Sequence, residues 1–103
     1  MTERQYSVKL LRKIRKTYPD AFVYKIPDTA GLGGMRPFDI FIVKGGRAYA
    51  IELKRGGEAI RPTPYQEHML AEFVKAGGIS VVIWPEVERV LWGVLNEDTK
   101  WPF

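Results

Sequence analysis

The chain has 103 residues, 46% of them hydrophobic and 27% charged, which suits one small globular domain over residues 1–103. Its net charge of +4 favours a polyanionic partner such as a nucleic acid. With no cysteine and one histidine, disulfides, thiolate zinc sites and histidine-rich metal clusters are excluded, so any metal must be held by oxygen. No apolar run approaches the roughly 20 residues of a membrane helix, and the N-terminal segment lacks the apolar stretch of a signal peptide, so we expect an intracellular, cytoplasmic protein.

The first predicted element is a helix from about Glu3 to Tyr18. Thr2 and Gln5 match a capping box at its start, and Pro19 ends it. Small and apolar residues at helical spacing predict its inward face, namely Ser7, Leu10, Leu11, Ile14 and Tyr18. The opposite side carries cations only, at Lys9, Arg12, Lys13 and Lys16. This basic stripe is either an ordinary solvated face or a surface that follows a phosphate backbone.

The segment AFVYKI, residues 21–26, predicts a first strand that ends at Pro27. The glycine-rich TAGLGGMRP segment follows it. Because it contains neither G-K-[ST] nor G-x-G-x-x-G, the P-loop and dinucleotide-binding fingerprints are absent. We interpret the segment either as a plain connector or as a loop whose backbone amides and Arg36 approach a phosphate strand.

Two strand-like runs, residues 38–43 and 48–53, flank a Gly-Gly pair, which predicts a two-residue β-hairpin because both turn positions need positive φ. In that register the residue numbers of each opposed pair add up to 91, so Asp39 faces Glu52. Lys54 lies two residues further on, and the strand period of two places it on the same face as Glu52. The hairpin therefore predicts two carboxylates and a lysine at its open end.

Opposed like charges in a sheet repel each other and are tolerated mainly where a cation lies between them. Carboxylate oxygens are the ligands that Mg²⁺ prefers, and we expect Mn²⁺ to substitute for it. The alternative is that Glu52 and Lys54 lie on a solvated sheet face and that Asp39 ends a turn.

After the hairpin, Arg55 and Arg61 lie in a predicted loop. Thr63 then caps a helix with Pro64 at its first position, and Gly77-Gly78 ends it. The inward side of this helix is predicted by helical spacing to hold Gln66, Met69, Leu70 and Phe73. Gln66 either closes the cap over Thr63 or orients Lys54, a water or a phosphate.

Residues 79–84, ISVVIW, predict a buried strand parallel to the Glu52 strand, joined to it by a helical crossover. Residues 85–95 predict a final helix or an edge strand, and the helix is favoured by the spacing of Val87, Val90, Leu91 and Val94. Three aromatic residues near the C-terminus predict packing on the first helix or a homodimer contact: Trp92, Trp101 and Phe103.

The order Asp39, then Glu52 and Lys54 within IELK, resembles the core of the PD-(D/E)XK nuclease superfamily. The glycine-rich GLGGMRP, the P-T-P-x-Q helix start and the GGISVVI strand make it similar to the small VRR-NUC nucleases and, more loosely, to archaeal-type Holliday junction resolvases. The resemblance covers about residues 31–84. One departure is that Pro37 is separated from Asp39 by Phe38, so the signature proline is one residue early.

The resemblance implies an α/β, restriction-endonuclease-like core, with a mixed central sheet flanked by helices in the order αβββαβ and a C-terminal helix or strand. It further implies a metal-dependent endodeoxyribonuclease in which Asp39, Glu52 and the backbone carbonyl of Leu53 hold Mg²⁺. Lys54 would position a water or stabilise developing negative charge. Glu3 would reach the metal site, or else it only interacts favourably with the helix dipole.

The small size of the domain leaves no obvious element for reading base sequence, so we expect structure-specific cleavage of branched DNA, such as a junction or a flap. A homodimer would suit a four-way junction. The candidate DNA-contacting residues are Lys9, Arg12, Lys13, Lys16, Arg36, Arg55 and Arg61. Two alternatives stay open: a non-catalytic nucleic-acid-binding module on the same fold, and an α/β protein unrelated to nucleases.

Overall fold

The structure is a computed structural model that describes residues 1–27, 36–57 and 60–96. Its elements are α1 (Glu3–Thr17), β1 (Phe22–Lys25), β2 (Ile40–Lys44), β3 (Arg47–Leu53), α2 (Pro64–Lys75), β4 (Ile79–Ile83), a 3-10 turn (Pro85–Val87) and α3 (Glu88–Leu95). The predicted order αβββαβ is confirmed, and the C-terminal element is a helix. Most of the glycine-rich segment, and also Trp101 and Phe103, lie outside the described residues.

The four strands form one mixed sheet in the order β1-β2-β3-β4. β2 pairs antiparallel with both β1 and β3, whereas β4 pairs parallel with β3 after the α2 crossover. The predicted mixed α/β class is therefore confirmed. No helix within the described ranges is both long and apolar enough to cross a membrane.

The β2–β3 hairpin turns at Gly45 and Gly46, whose φ angles are 59° and 78°. Positive φ at both positions is the requirement that glycine meets without steric cost, and it suits the twist of the two strands. The predicted register is confirmed along the strands, from Lys44 opposite Arg47 to Phe41 opposite Ala50.

Both predicted capping boxes are present. Thr2 and Gln5 bond reciprocally at the start of α1, and Thr63 and Gln66 do the same at the start of α2. Each box satisfies two backbone N–H groups that the first helical turn leaves without partners. α2 ends where Gly77 takes a φ of 103°.

Apolar side chains cover the sheet on both faces. The larger cluster joins α1 and α3 to the sheet and contains Tyr6, Leu10, Leu11, Ile14, Ile40, Ile42, Tyr49, Ile51, Leu53, Val81, Ile83, Leu91 and Leu95. The smaller cluster lies on the α2 face around Phe38, Ala50 and Leu70. Of the residues whose spacing favours the C-terminal helix, Val90 is 45% exposed. Leu91 and Leu95, four residues apart, form the buried stripe of α3 instead.

Glu88 joins α3 to α1. It accepts hydrogen bonds from the Tyr6 hydroxyl at 3.1 Å, from Lys13 Nζ at 3.1 Å and from Trp92 Nε1 at 3.0 Å. Burial alone would raise the pKa of Glu88, but the three donors outweigh it and lower that pKa below its ordinary value. The Trp92 ring also packs against Tyr18, with ring centroids 6.5 Å apart, as predicted for packing on the first helix.

Candidate active site

Asp39 occupies the end of the sheet just before β2 begins. Its Oδ2 accepts the backbone N–H of Leu53 at 2.7 Å, and its own N–H donates to the carbonyl of Ile51 at 3.0 Å. The last strand pair is Ile40 with Ile51, so Asp39 is not the regular cross-strand partner of Glu52 that the hairpin predicts. The carboxylate instead accepts the backbone N–H of Leu53, which the backbone of β2 does not reach. This bond fixes the orientation of the side chain.

Two cations contact the other oxygen of Asp39. Arg36 Nη2 lies 3.0 Å from Oδ1, and Lys25 Nζ lies 3.8 Å from the same atom. Arg36 was expected to approach a phosphate, but in the structure its guanidinium is directed at Asp39. Lys25 was not predicted to lie here, although the β1–β2 register places it opposite Ile40, next to Asp39.

Glu52 is the most deeply buried acid of the described residues, with 1% of its surface exposed. Its Oε2 lies 3.0 Å from Lys54 Nζ. Its Oε1 is buried and has no hydrogen-bond partner among the described residues. An ionised carboxylate oxygen without a donor is costly in the interior, so this atom is the natural place for a cation or a proton.

Burial, then hydrogen bonding and repulsion with the Asp39 carboxylate, raise the pKa of Glu52 to about 8, although Lys54 opposes the change. The two acids are therefore close enough to interact. A protonated Glu52 can donate to Asp39, whereas two ionised carboxylates can only repel each other. A proton or a cation at the pair therefore relieves the repulsion of the ionised form.

Lys54 is held by a residue of the α2 cap. Its Nζ donates to Gln66 Oε1 at 3.1 Å, and the same oxygen accepts the backbone N–H of Thr63 at 3.0 Å. Gln66 thus closes the cap and fixes the ammonium group at once, so the two predicted alternatives describe one arrangement. The backbone of Lys54 is anchored as well, because its N–H donates to the carbonyl of Ile83 on β4 at 2.8 Å.

A cleft of about 520 Å³ opens between α1 and the ends of the sheet, beside Asp39. Its wall includes Glu3, Arg4, Ser7, Lys25, Arg36, Asp39 and Leu53. Glu3 therefore lines the same opening as Asp39. Within residues 1–27, 36–57 and 60–96, however, no three acidic or histidine side chains converge closely enough to hold a metal by themselves.

The donor chemistry of this site fits Mg²⁺. Asp39 and Glu52 supply carboxylate oxygens, and Glu52 Oε1 is a buried acceptor without a donor in the described structure. Mg²⁺ commonly takes one or two carboxylates and completes its shell with water and phosphate oxygens, so two acids suffice. The resemblance also implies the backbone carbonyl of Leu53 as a ligand. The N–H of the same residue donates to Asp39 Oδ2.

The basic residues divide into two groups. Lys13 Nζ lies 3.1 Å from Glu88 Oε2 and stabilises the α1–α3 contact. Its ammonium group is therefore already paired, whereas the basic stripe predicts that it contacts DNA. The other predicted DNA-contacting residues outside the cleft are exposed, namely Lys9, Arg12, Lys16, Arg55 and Arg61.

Comparison of this chain with protein-family models, with curated proteins and with solved structures finds no match. Its function is therefore inferred from its own residues. The features that bear on it are the buried carboxylates of Asp39 and Glu52, the fixed ammonium group of Lys54 and the cleft that Asp39 lines.

Proposed function

We propose that this chain is a divalent-metal-dependent endonuclease that hydrolyses phosphodiester bonds in DNA, as its resemblance to the PD-(D/E)XK superfamily implies. The observation that carries the proposal is the buried Asp39–Glu52 pair, in which Glu52 Oε1 has no donor among the described residues while Lys54 lies beside Oε2. Buried acids with a strongly raised pKa are typical of sites built for a cation or for chemistry.

Asp39 and Glu52 would hold Mg²⁺, with the carbonyl of Leu53 and a substrate phosphate as further ligands. Bound Mg²⁺ supplies Lewis-acid polarisation of the phosphate and a water of lowered pKa. The chain supplies preorganisation, because Leu53 N–H fixes one oxygen of Asp39 and burial fixes the Glu52 side chain. Carboxylates held in this way need little rearrangement on binding a cation.

Lys54 is suited to electrostatic stabilisation. An ammonium group has three N–H donors, and two of them are directed at Glu52 Oε2 and Gln66 Oε1. The third can donate to a water or to a phosphate oxygen as negative charge develops on it. Gln66 is then a positioning residue that acts through Lys54.

The substrate is proposed to be branched or otherwise structured DNA. The exposed cations of α1, Lys9, Arg12 and Lys16, offer non-specific attraction for phosphates, and no described element has the form of a base-reading insertion. A symmetric pair of chains would suit a four-way junction.

A panel of labelled DNA substrates tests the proposal: a four-way junction, a flap, a splayed arm and a plain duplex, each incubated with Mg²⁺, Mn²⁺ or EDTA. We expect cleavage with either metal and none with EDTA. Glu52→Gln and Lys54→Met should abolish it, whereas the matched changes Glu72→Gln and Lys75→Met, at exposed positions of α2, should not. Cleavage that survives Glu52→Gln would contradict the proposal.

One observation favours a second candidate, a module that binds nucleic acid without cutting it. Arg36 and Lys25 already neutralise Oδ1 of Asp39, which an inactive site could retain as a structural ion pair. The same panel separates the two candidates, because the module would bind DNA equally in every metal and would leave it intact.

A further inference from the structure

An aromatic strip lies on the outer strands of the sheet, on the face that α2 covers only in part. Phe22 and Tyr24 of β1 are 56% and 46% exposed. Their rings stack with centroids 6.4 Å apart, and Phe22 meets Phe41 of β2 edge to face at 6.0 Å. Phe41 in turn packs edge to face against Phe73 of α2, with ring centroids 6.2 Å apart. The two exposed rings are thus supported from behind by packed rings.

This strip shares its sheet face with Glu52. Tyr24 is opposite Phe41, and Phe41 is opposite Ala50, so these side chains point to one face. Glu52 lies two residues beyond Ala50 and therefore points the same way. Tyr24 lies roughly 7 Å along the strands from the level of Glu52 and, two strands away in the sheet, roughly 10 Å across them, so the two positions are roughly 12 Å apart. A strand of a few nucleotides can span that distance.

The size of the exposed patch argues against a partner protein. Two rings that are about half exposed, with Val43 at 37%, offer on the order of 300 Å² at most. A stable protein interface needs roughly 800 Å² from each partner. A ring of this size matches the face of one nucleobase, and stacking of bases on aromatic side chains is how single strands are commonly bound.

The charges around the strip also suit a nucleic-acid strand. Lys44 lines the same surface hollow as Phe22, and Arg47 lines the groove beside Phe41. Among the described residues that line these two hollows, Asp20 is the one acid. Lys44 and Arg47 are cross-strand partners beside the Gly45-Gly46 turn, so a polyanion that crosses the strip meets positive charge at its turn end.

We propose that Phe22 and Tyr24 stack against the bases of an unpaired DNA strand adjoining the bond that is cut. This inference rests on the proposed nuclease function and deepens it, because it specifies a substrate with a single-stranded segment at the site. A splayed arm or a flap meets this requirement, whereas a continuous duplex keeps its bases stacked inside the helix and offers none to the strip.

The test is fluorescence anisotropy in EDTA, so that binding is measured without cleavage. The probes are a fluorescein-labelled oligo(dT) strand, a splayed arm and a blunt duplex. We expect Phe22→Leu and Tyr24→Leu each to weaken binding of the first two probes about tenfold or more and to leave duplex binding unchanged. Leucine keeps the apolar surface and removes the ring. Val90→Ala, at a similarly exposed apolar position on α3, serves as the control and should bind like the wild type.

Equal binding of oligo(dT) by the wild type and by both leucine variants would overturn the inference, and so would an equal loss for the duplex. A dimer in solution that dissociates on Tyr24→Leu would overturn it too, because a second copy would then cover the strip. Cleavage assays with the wild type and Glu52→Gln separate this inference from the nuclease proposal. If neither protein cleaves DNA in Mg²⁺ or Mn²⁺, but Phe22→Leu and Tyr24→Leu still weaken oligo(dT) binding, the nuclease proposal fails and the strip remains a base-binding surface.

Discussion

Lys54 Nζ lies 3.0 Å from Oε2 of Glu52, across the end of β3 where the strand gives way to the loop before α2. The pair is tied to α2 as well, because Gln66 of the helix cap accepts a hydrogen bond from Lys54. A strand end and a helix start therefore fix one ammonium group beside one buried carboxylate.

Gln66 is predicted to matter for cleavage beyond its part in stability. Gln66→Ala removes the acceptor of Lys54 and half of the capping box, so we expect a fall in cleavage rate of about tenfold or more and a loss of about 1 kcal/mol in unfolding free energy. Gln5→Ala removes the corresponding half of the α1 capping box and should match the stability loss without the loss of activity. Equal activity of the two variants would show that Gln66 only caps the helix.

Glu52 is predicted to make the metal-free protein less stable as pH rises. Its pKa of about 8 in the folded chain lies above its ordinary value near 4.5, so the folded state holds this proton more tightly than the unfolded state does. The stabilisation is therefore complete below about pH 4.5 and is lost as pH rises through about 8, by on the order of 2–5 kcal/mol. Urea unfolding in EDTA at pH 5, 7 and 9 measures it. Glu52→Gln should remove this part of the pH dependence, and parallel curves for the two proteins would contradict the assignment.

Arg36 is predicted to compete with a metal ion for Asp39. Its guanidinium lies 3.0 Å from Asp39 Oδ1, so Arg36→Gln removes a positive charge from the place where a cation would bind. We expect Mg²⁺ to bind several-fold more tightly to this variant, as measured by calorimetry, whereas the exposed control Arg61→Gln should leave the affinity unchanged. Weaker Mg²⁺ binding in Arg36→Gln would show that Arg36 supports the site instead.

Glu88 is predicted to stabilise the fold without any part in the chemistry. Glu88→Gln weakens bonds to Tyr6, Lys13 and Trp92, with an expected cost of about 1–3 kcal/mol in unfolding free energy at neutral pH. Because the pKa of Glu88 is lowered in the folded chain, the stabilisation is present above its ordinary value and is lost as pH falls through the lowered one. The stability gap between wild type and variant should therefore narrow below about pH 4. A constant gap in unfolding experiments down to pH 3 would disagree.

Local residue chemistry predicted much of this fold. The Gly45-Gly46 turn fixed the register of the hairpin, and two capping boxes marked the starts of α1 and α2. In each case the signal lies within a few residues of the feature, so no knowledge of distant contacts is needed.

The geometry of the acids depended on longer-range structure. The sequence pattern extended the ladder to Asp39 opposite Glu52, but β2 begins at Ile40, and Asp39 bonds to the N–H of Leu53 through its side chain. The ion pairs of Asp39 with Arg36 and Lys25 were not predicted either. Arg36 is only three residues from Asp39, but Lys25 reaches Asp39 because β1 pairs with β2, and no local pattern encodes that pairing.

The most direct measurement of the central claim is single-turnover cleavage of a labelled splayed-arm DNA in Mg²⁺ by the wild type, Glu52→Gln and the exposed control Glu72→Gln. The variants are first matched for folding by circular dichroism. We expect cutting by the wild type and by Glu72→Gln, with a loss of at least a thousandfold (about 4 kcal/mol in the barrier) for Glu52→Gln. Equal rates for all three proteins, or no cutting by any of them in Mg²⁺ or Mn²⁺, would contradict it.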